Sequence, residues 1–169
     1  VENMQNIIQG QLIQGRLSDV GVEQAKKVAK GLQSEKIDYI YSSDLSRAAD
    51  TTKEIMKYHP NTPVEFVEEL RERNHGEFQG KRKSEVPNWD KLIFDTEHKS
   101  KGGESIEDVY RRLSDFLDKM LHQHKNQTVL CIGHGFMGRI LVAIIMGKKL
   151  EEIRNIQKSE NASISIFEI

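Results

Sequence analysis

The chain has 169 residues, of which 37% are hydrophobic and 30% are charged, and its formal net charge at pH 7 is −1. This size and composition fit one globular domain over residues 1–169 with an adequate core, and a second domain is not expected. Basic and acidic residues are interspersed, so the chain has no extended positive electrostatic potential that would favour nucleic acid or an anionic membrane surface as a partner.

Cysteine usage and hydropathy indicate a compartment. A single cysteine excludes an internal disulfide and favours a reducing environment. The longest apolar run is too short to cross a bilayer, and no secretory leader pattern opens the sequence. We therefore expect a cytoplasmic protein without a membrane partner. A homo-oligomer is compatible with these features.

The beginning of the chain predicts a loop and then a helix. Residues 1–15 are rich in Asn, Gln and Gly and carry almost no charge, which is typical of a loop. A folded α/β domain seldom opens with a long exposed loop, so we expect further residues before Val1. Ser18 or Asp19 is a suitable N-cap for a helix that ends near Gln33 and has apolar residues on one face.

Two strand signals follow this helix. Residues 37–41 alternate toward a short strand, and the polar residues 42–44 are suited to cap a second helix that continues to Met56. A segment with two prolines then breaks the helix. Residues 64–67 predict another short strand, which leads into a charged segment.

The second half of the chain contains the clearest helical pattern. Residues 79–102 are mostly polar and basic, and we expect a loop that holds at most one short helix. Residues 104–122 have apolar side chains at helical spacing and an acidic first turn, which predict an amphipathic helix. Residues 162–167 alternate Ile and Ser, which predicts a last strand near a sheet edge.

The chain is organised around residues 128–140. Residues 128–132 are β-branched or apolar and predict a buried strand of a parallel sheet, which Gly133 ends. The apolar run 140–146 predicts a helix packed on that sheet. His134 then lies between strand and helix, where open α/β sheets bind ligands and where free N–H groups favour an anion. The alternative is that His134 is only a turn residue.

Arg47 is a second candidate for the same edge of the sheet. It lies in the first turn of a helix that directly follows a strand, so its guanidinium can point to the edge where His134 lies. The fork geometry of arginine suits two oxygens of one phosphoryl group. The alternative is a surface arginine that pairs with Asp44 or Asp50.

Glu72 is a candidate proton donor. It lies among arginines, beside His75 and Gly76. If its surroundings neutralise or desolvate it, such a carboxylic acid can hold a proton and donate it to a leaving alkoxide. The alternative is that residues 68–73 are a solvated charge run.

Four further positions are candidate substrate contacts. Asn3 and Gln9 have polar side chains and Gly10 has an open backbone, so this loop can bond to phosphate or substrate. By itself this signal is very weak. Gly135 beside His134 lets a substrate approach the backbone closely.

Together these residues resemble the histidine phosphatase superfamily, also called the phosphoglycerate mutase-like family. Residues 3–10 look like the loop after the family's opening Arg-His-Gly-x-Thr motif. Residues 41–48 are similar to its Tyr-Ser-Ser-x-Leu-x-Arg-Ala signature, and residues 70–80 resemble its Leu-x-Glu-x-x-x-Gly-x-x-x-Gly segment. Two later landmarks match at 103–105 and 133–135. Several matches in this order are much more specific than any one alone.

The resemblance implies phosphoryl transfer through a covalent phosphohistidine, without a metal or other cofactor. Arg47 would be a clamp arginine and His134 the second histidine at the phosphoryl group. Glu72 would protonate the leaving oxygen, Asn3 would bind phosphate or substrate, and Gly135 would supply a backbone N–H. The fold implied is a three-layer α/β/α sandwich with a mostly parallel sheet and helices on both faces.

The chain departs from the family pattern at its start. The Arg-His-Gly-x-Thr motif, with the nucleophile and the first clamp arginine, should stand immediately before Val1 and is not in this chain. Of the other histidines only His75 precedes a glycine, and it belongs to the Glu72 segment, so the nucleophile stays unassigned. In the family this missing strand lies inside the sheet, and its loss would leave unpaired backbone groups in two neighbouring strands. Arg139 matches a family position to which we assign no role.

We predict a phosphatase that hydrolyses small-molecule phosphomonoesters. One alternative is a phosphoglycerate mutase, which needs an enclosing lid; residues 79–102 and the short end of the chain leave little to build one. Another alternative is a non-catalytic relative that only binds phospholigands. A nucleotide-binding α/β domain is disfavoured because the sequence has no Gly-rich phosphate loop.

Overall fold

A parallel sheet lies between two layers of helices. The structure is a computed structural model and describes residues 6–12 and 16–169. The helices are α1 (Asp19–Gly31), α2 (Ser46–Met56), α3 (Trp89–Leu92), α4 (Ile106–Gln123) and α5 (Gly135–Ile145). The strands are β1 (Tyr39–Ser43), β2 (Val64–Val67) and β3 (Val129–Ile132). Short 3-10 segments cover Glu68–Leu70, Gly76–Phe78, Lys83–Glu85 and Leu150–Asn155.

The three strands run parallel in the order β2-β1-β3. In this register Ile40 of β1 lies between Val64 of β2 and Leu130 of β3. Parallel strands need crossover connections, and α2 forms the one from β1 to β2. The carboxyl ends of all three strands therefore meet at one edge of the sheet.

Alternate side chains of β1 enter the two helical layers. Ile40 is fully buried and packs with Ala29 of α1 and Ile55 of α2. Tyr41 packs on the other side, in the cluster that contains Leu113 of α4 and Ile140 of α5. The three-layer α/β/α sandwich with a parallel sheet is thus confirmed. None of the helices in the described residues is long and apolar enough to cross a membrane.

The two amphipathic helices begin at hydroxyl caps. The Ser18 side chain accepts a hydrogen bond from the backbone N–H of Gly21 at 3.1 Å, which confirms the predicted start of α1. Ser105 and Asp108 form a reciprocal capping box, so α4 begins at Ile106 rather than at Glu104. The expected short helix between residues 79 and 102 is α3.

The boundary between β1 and α2 differs from the prediction. β1 covers Tyr39–Ser43 instead of residues 37–41, because Ser42 and Ser43 are themselves buried in the sheet. The polar residues 42–44 therefore do not cap α2 as predicted. Its N-cap is Leu45, which makes no side-chain capping bond, while Ser43 Oγ accepts from the Leu45 N–H at 3.3 Å and so does not cap the first turn of α2.

The predicted last strand over residues 162–167 is wrong. A strand needs a neighbour for its backbone groups, and within the described residues β3 pairs only with β1. A cavity of about 690 Å³, lined by residues of α5 and of the C-terminal segment, lies beside the predicted strand. The segment is largely exposed, with Ile166 at 90% exposure. The alternation of Ile and Ser gives the segment one apolar and one polar side. A strand also needs a neighbouring strand, and the alternation does not provide one.

Shortening Leu113 tests the packing of α4 on the sheet. Leu113 is fully buried, so Leu113→Ala should lower the free energy of unfolding by about 2–5 kcal/mol, which urea denaturation measures. Arg111→Ala, two residues earlier and on the exposed face of α4, should change it by less than about 0.5 kcal/mol. Equal effects of the two substitutions would contradict this arrangement of the layers.

Candidate active site

The carboxyl edge of the sheet brings distant residues together. Ser43 ends β1, and Arg47 lies in the first turn of α2. Glu72 follows β2 after one 3-10 turn. His134 follows β3 and is the N-cap of α5. The structure thus places the three predicted catalytic candidates at one edge, as parallel strands require.

His134 is held by the end of the neighbouring strand. Its Nε2 lies 2.8 Å from Ser43 Oγ. Burial lowers the pKa of His134 to about 3, with further contributions from the positive charges of Arg47 and Arg112. The imidazole is therefore neutral near pH 7. Ser43 was predicted only as a helix cap, although a polar residue at the end of a strand also indicates a position near a ligand site.

Arg47 is oriented by the loop that contains Gly10. Its Nη2 donates to the Gly10 carbonyl oxygen at 2.8 Å. Gly10 has φ +51°, and a Cβ there would lie 3.0 Å from the Arg73 carbonyl oxygen, so the backbone favours glycine at this position. The proposed surface partners of Arg47 are engaged elsewhere: Asp44 pairs with Arg71, and Asp50 pairs with Lys53.

Gln11 anchors this loop, a role that sequence analysis missed. Its backbone N–H donates to Gln79 Oε1 at 2.6 Å, and its side chain donates to the Glu72 carbonyl at 3.0 Å. Gln9 is half-buried beside Gly10, and its carbonyl accepts from Leu12 in a turn. Asn3 lies outside the described residues.

Backbone amides surround the Glu72 carboxylate. Its Oε1 accepts from Met137 at 2.9 Å and from Arg73 at 3.0 Å, and its Oε2 accepts from Phe136 at 3.1 Å. Two of these donors belong to the amino end of α5, where the helix dipole favours a negative group. Glu72 is half-buried, so it is not part of a solvated charge run. The neighbouring arginine side chains bind other groups: Arg71 donates to Asp44, and the Arg73 guanidinium donates to backbone carbonyl oxygens.

A pair of charged residues on α4 and in the preceding loop holds the backbone around Glu72. Arg112 donates to the carbonyl oxygens of Arg71 at 2.9 Å and Glu72 at 3.3 Å. Its Nε donates to Glu104 at 2.8 Å. The same carboxylate accepts from the Asn74 N–H at 2.7 Å. The pair therefore contacts the chain on both sides of Glu72.

Arg112 was not among the predicted site residues, because the pattern of α4 predicted only an amphipathic helix. Arg112 is three residues after Val109 and four before Phe116, both of which are buried. It therefore falls within the apolar stripe of the helix. A charged side chain in that position needs hydrogen-bonding partners, and this requirement is the signal from which Arg112 could have been identified.

Gly135 lies at an open part of the site. It is the first residue of α5 and is exposed, and a Cβ added there would meet no atom within 4 Å. Packing therefore does not require glycine at this position. The space beside the amino end of α5 is accessible to a ligand. In the parts of the chain that the structure describes, no group of three or more His, Cys, Asp or Glu residues could hold a metal ion.

Comparison with known proteins decides the family. The pattern described as Histidine phosphatase superfamily (branch 1) matches residues 1–169. The chain belongs to the histidine phosphatase superfamily. This confirms the resemblance found in the sequence motifs.

Three similar proteins illustrate the family. Phosphoserine phosphatase 1 of Hydrogenobacter thermophilus is 33% identical over 92% of this chain and 76% of its own length. Phosphoglycerate mutase-like protein 4 of Arabidopsis thaliana is 30% identical over 99% of this chain and 74% of its own. A mycobacterial glucosyl-3-phosphoglycerate phosphatase, solved with VO3, has a TM-score of 0.86 and 26% identity, covering 95% of this chain and 84% of that one.

Replacing Arg47 tests whether the edge binds an anion. Arg47→Ala should weaken the binding of vanadate by about 1.5–3 kcal/mol, because a charge-assisted hydrogen bond is lost. Isothermal titration calorimetry measures this change. Arg111→Ala removes an exposed arginine of α4 and serves as the control. If the Arg47 variant binds vanadate as tightly as the unchanged protein, the anion site is not at this edge.

Two histidines with lowered pKa values should make folding sensitive to acid. Burial lowers the pKa of His75 to about 4 and that of His134 to about 3, below the ordinary 6.5. Below pH 6.5 the unfolded chain therefore binds protons that the folded chain does not, so the free energy of unfolding falls as pH decreases. Each histidine contributes at most about 1.4 kcal/mol per pH unit in that range.

The variant His75→Phe isolates one of these contributions. Phenylalanine keeps an aromatic ring against Trp89, since the ring centres of His75 and Trp89 lie 5.1 Å apart in an edge-on contact. Urea denaturation between pH 6.5 and pH 4 should show a shallower loss of stability than in the unchanged protein. Parallel curves for the two proteins would show that His75 does not titrate as described.

Proposed function

We propose that this protein hydrolyses small-molecule phosphomonoesters through a phosphohistidine intermediate. Phosphoric monoester hydrolysis follows from membership of the histidine phosphatase superfamily, which includes relatives named as phosphatases. The proposal depends most on one observation: Arg47, Glu72 and His134 surround the accessible amino end of α5.

The proposed roles follow from the contacts. The Arg47 guanidinium, oriented by Gly10, would bind phosphoryl oxygens with its fork of N–H donors. The neutral His134 ring would donate one further hydrogen bond. Its pKa should rise when a phosphate dianion binds, because an opposite charge favours the protonated form. The N–H of Gly135 would add a donor at the open end of the helix.

The reaction would proceed in two steps. A histidine forms a nitrogen–phosphorus bond while the bond from phosphorus to the leaving oxygen breaks, and Glu72 would transfer a proton to that oxygen. Water then cleaves the nitrogen–phosphorus bond and releases phosphate. The nucleophilic histidine is not assigned to a residue of this chain. Glu72 is suited to the proton transfer because two amides of α5 fix its carboxyl group beside His134.

Phosphoglycerate mutase activity is an alternative, because one relative is named as phosphoglycerate mutase-like. A mutase must keep water from its phosphorylated intermediate, which calls for an enclosing lid. Between residues 79 and 102 the structure has one α-helix, α3, with four residues. Trp89 of this helix packs with Ile8 and Val86 in a small cluster. This segment offers little to enclose the site, so hydrolysis is favoured.

We also propose a cytoplasmic location and a small phosphorylated substrate; a homo-oligomer stays a prediction. The location is supported by the single cysteine, because a lone free thiol suits a reducing compartment. Burial raises the pKa of Cys131 to about 12, so this thiol is not activated as a nucleophile.

Replacing Glu72 tests the role of the acid. Glu72→Gln should lower kcat/KM by about 100- to 10,000-fold on glycerol 3-phosphate, whose alkoxide leaving group needs a proton. The loss should be much smaller on p-nitrophenyl phosphate, whose leaving group is stable as an anion. Glu69→Gln, which changes an exposed carboxylate nearby, is the control.

Three results would contradict the proposal. Equal losses on the two esters would show that Glu72 does not protonate the leaving group. Efficient interconversion of 2- and 3-phosphoglycerate with little phosphate release would favour the mutase. Tight vanadate binding without hydrolysis of any phosphomonoester would favour the protein that only binds phospholigands.

A further inference from the structure

Two arginines meet at Phe94, next to the site described above. The guanidinium carbon of Arg139 lies 5.4 Å from the centre of the Phe94 ring, and that of Arg154 lies 5.7 Å from it. Arg139 belongs to α5, Arg154 to the 3-10 segment Leu150–Asn155, and Phe94 to the loop after α3. We call Phe94, Arg139 and Arg154 the arginine cluster.

The arginine cluster is connected to the active site through Phe136. The Phe94 and Phe136 rings lie 5.9 Å apart. The backbone N–H of Phe136 donates to the Glu72 carboxylate, and Phe136 is two residues after His134. The aromatic pair therefore lies between the candidate phosphoryl site and the two guanidinium groups. A substrate that extends from His134 past Phe136 would reach the arginine cluster.

The charges of the arginine cluster are not balanced by carboxylates in the described part of the chain. Arg71 pairs with Asp44 and Arg112 with Glu104, but the guanidinium groups of Arg139 and Arg154 make no ion pair or hydrogen bond with a described residue. Partial burial lowers the pKa of Arg139, and no nearby acid opposes this effect. Contact with an aromatic face compensates a cation only in part.

We propose that the arginine cluster binds a second anionic group of the substrate, either a carboxylate or a second phosphate. Guanidinium forks match the oxygens of both groups. The faces of Phe94 and Phe136 would contact the carbon skeleton between the two anions. This inference rests on the proposed function, since it requires the phosphoryl group to lie at His134. It defines the preferred substrates as phosphomonoesters with a second negative group.

A purely structural role for the arginines predicts a different result. If Arg139 and Arg154 only fix the loop after α3 through Phe94, then removing one of them should affect every substrate alike. An anion site predicts a selective effect. Arg154 is exposed, so Arg154→Gln removes a charge without disturbing the core. Arg111→Gln, which removes an exposed arginine of α4, is the matched control.

The test compares two esters of the same length in the full-length protein. In 3-phosphoglycerate a carboxylate takes the place of one hydroxymethyl group of glycerol 3-phosphate. Arg154→Gln should lower kcat/KM for 3-phosphoglycerate by about 10- to 100-fold and leave the value for glycerol 3-phosphate within about twofold. Arg111→Gln should change neither. The bisphosphate of 1,3-propanediol, tested in parallel, shows whether a second phosphate is preferred to a carboxylate.

Equal losses on the two esters, or no loss on 3-phosphoglycerate and on the bisphosphate, would overturn the proposal. If the protein hydrolyses none of these esters, then the proposed function fails. Isothermal titration calorimetry of ester binding then tests the arginine cluster by itself. Binding of 3-phosphoglycerate more tightly than glycerol 3-phosphate, with the difference lost in Arg154→Gln, would support the cluster. Equal binding of the two esters by both proteins would overturn it.

Discussion

The carboxylate of Glu72 accepts hydrogen bonds from the backbone of Phe136 and Met137 at the amino end of α5. These bonds tie the segment after β2 to the helix after β3, so two strand ends that are not neighbours in the sheet share one site. Arg112 and Glu104 hold the same segment from the other side, through carbonyl and amide groups next to Glu72. The geometry of the site therefore depends on hydrogen bonds to backbone groups, whose positions the sheet and α5 fix.

The electrostatics at this edge favour an anion. His134 is neutral near pH 7 because it is buried and because Arg47 and Arg112 lie close to it. Asp44, whose charge acts on His134 in the opposite direction, is already engaged by Arg71, which holds the pKa of that carboxyl below its usual value. Together with the amino end of α5, this surplus of positive potential gives a phosphoryl group a site that requires little reorganisation.

Much of the fold could be predicted because it follows from local patterns. The strand before His134, the cap of α1 and the amphipathic stripe of α4 are each encoded within fewer than twenty residues. That strand is half-buried rather than buried as predicted, because within the described residues β3 has a neighbouring strand on one side only. The errors concern tertiary pairing. Residues 162–167 alternate like a strand but have no neighbour to pair with among the described residues. Ser42 and Ser43 continue β1 because the register pairs Ser42 with both β2 and β3 and Ser43 with β2.

In the site too, local sequence motifs identified some residues, whereas others take part only through tertiary contacts. Arg47, Glu72 and His134 could be identified from motifs, whereas the partners that orient them could not. Gln11 reaches the Glu72 backbone across 61 positions of the chain. The Arg154 charge meets Phe94 only because the 3-10 segment after α5 lies against the loop after α3. Neither contact has a signal in the sequence around those residues.

A crystal structure of the protein with bound vanadate tests the central claim most directly. We expect the vanadate within hydrogen-bonding distance of the Arg47 guanidinium, the His134 ring and the Gly135 N–H, with the Glu72 carboxyl group facing it. A vanadate that binds elsewhere, or one that contacts neither Arg47 nor His134, would contradict the assignment of this edge as the phosphoryl site.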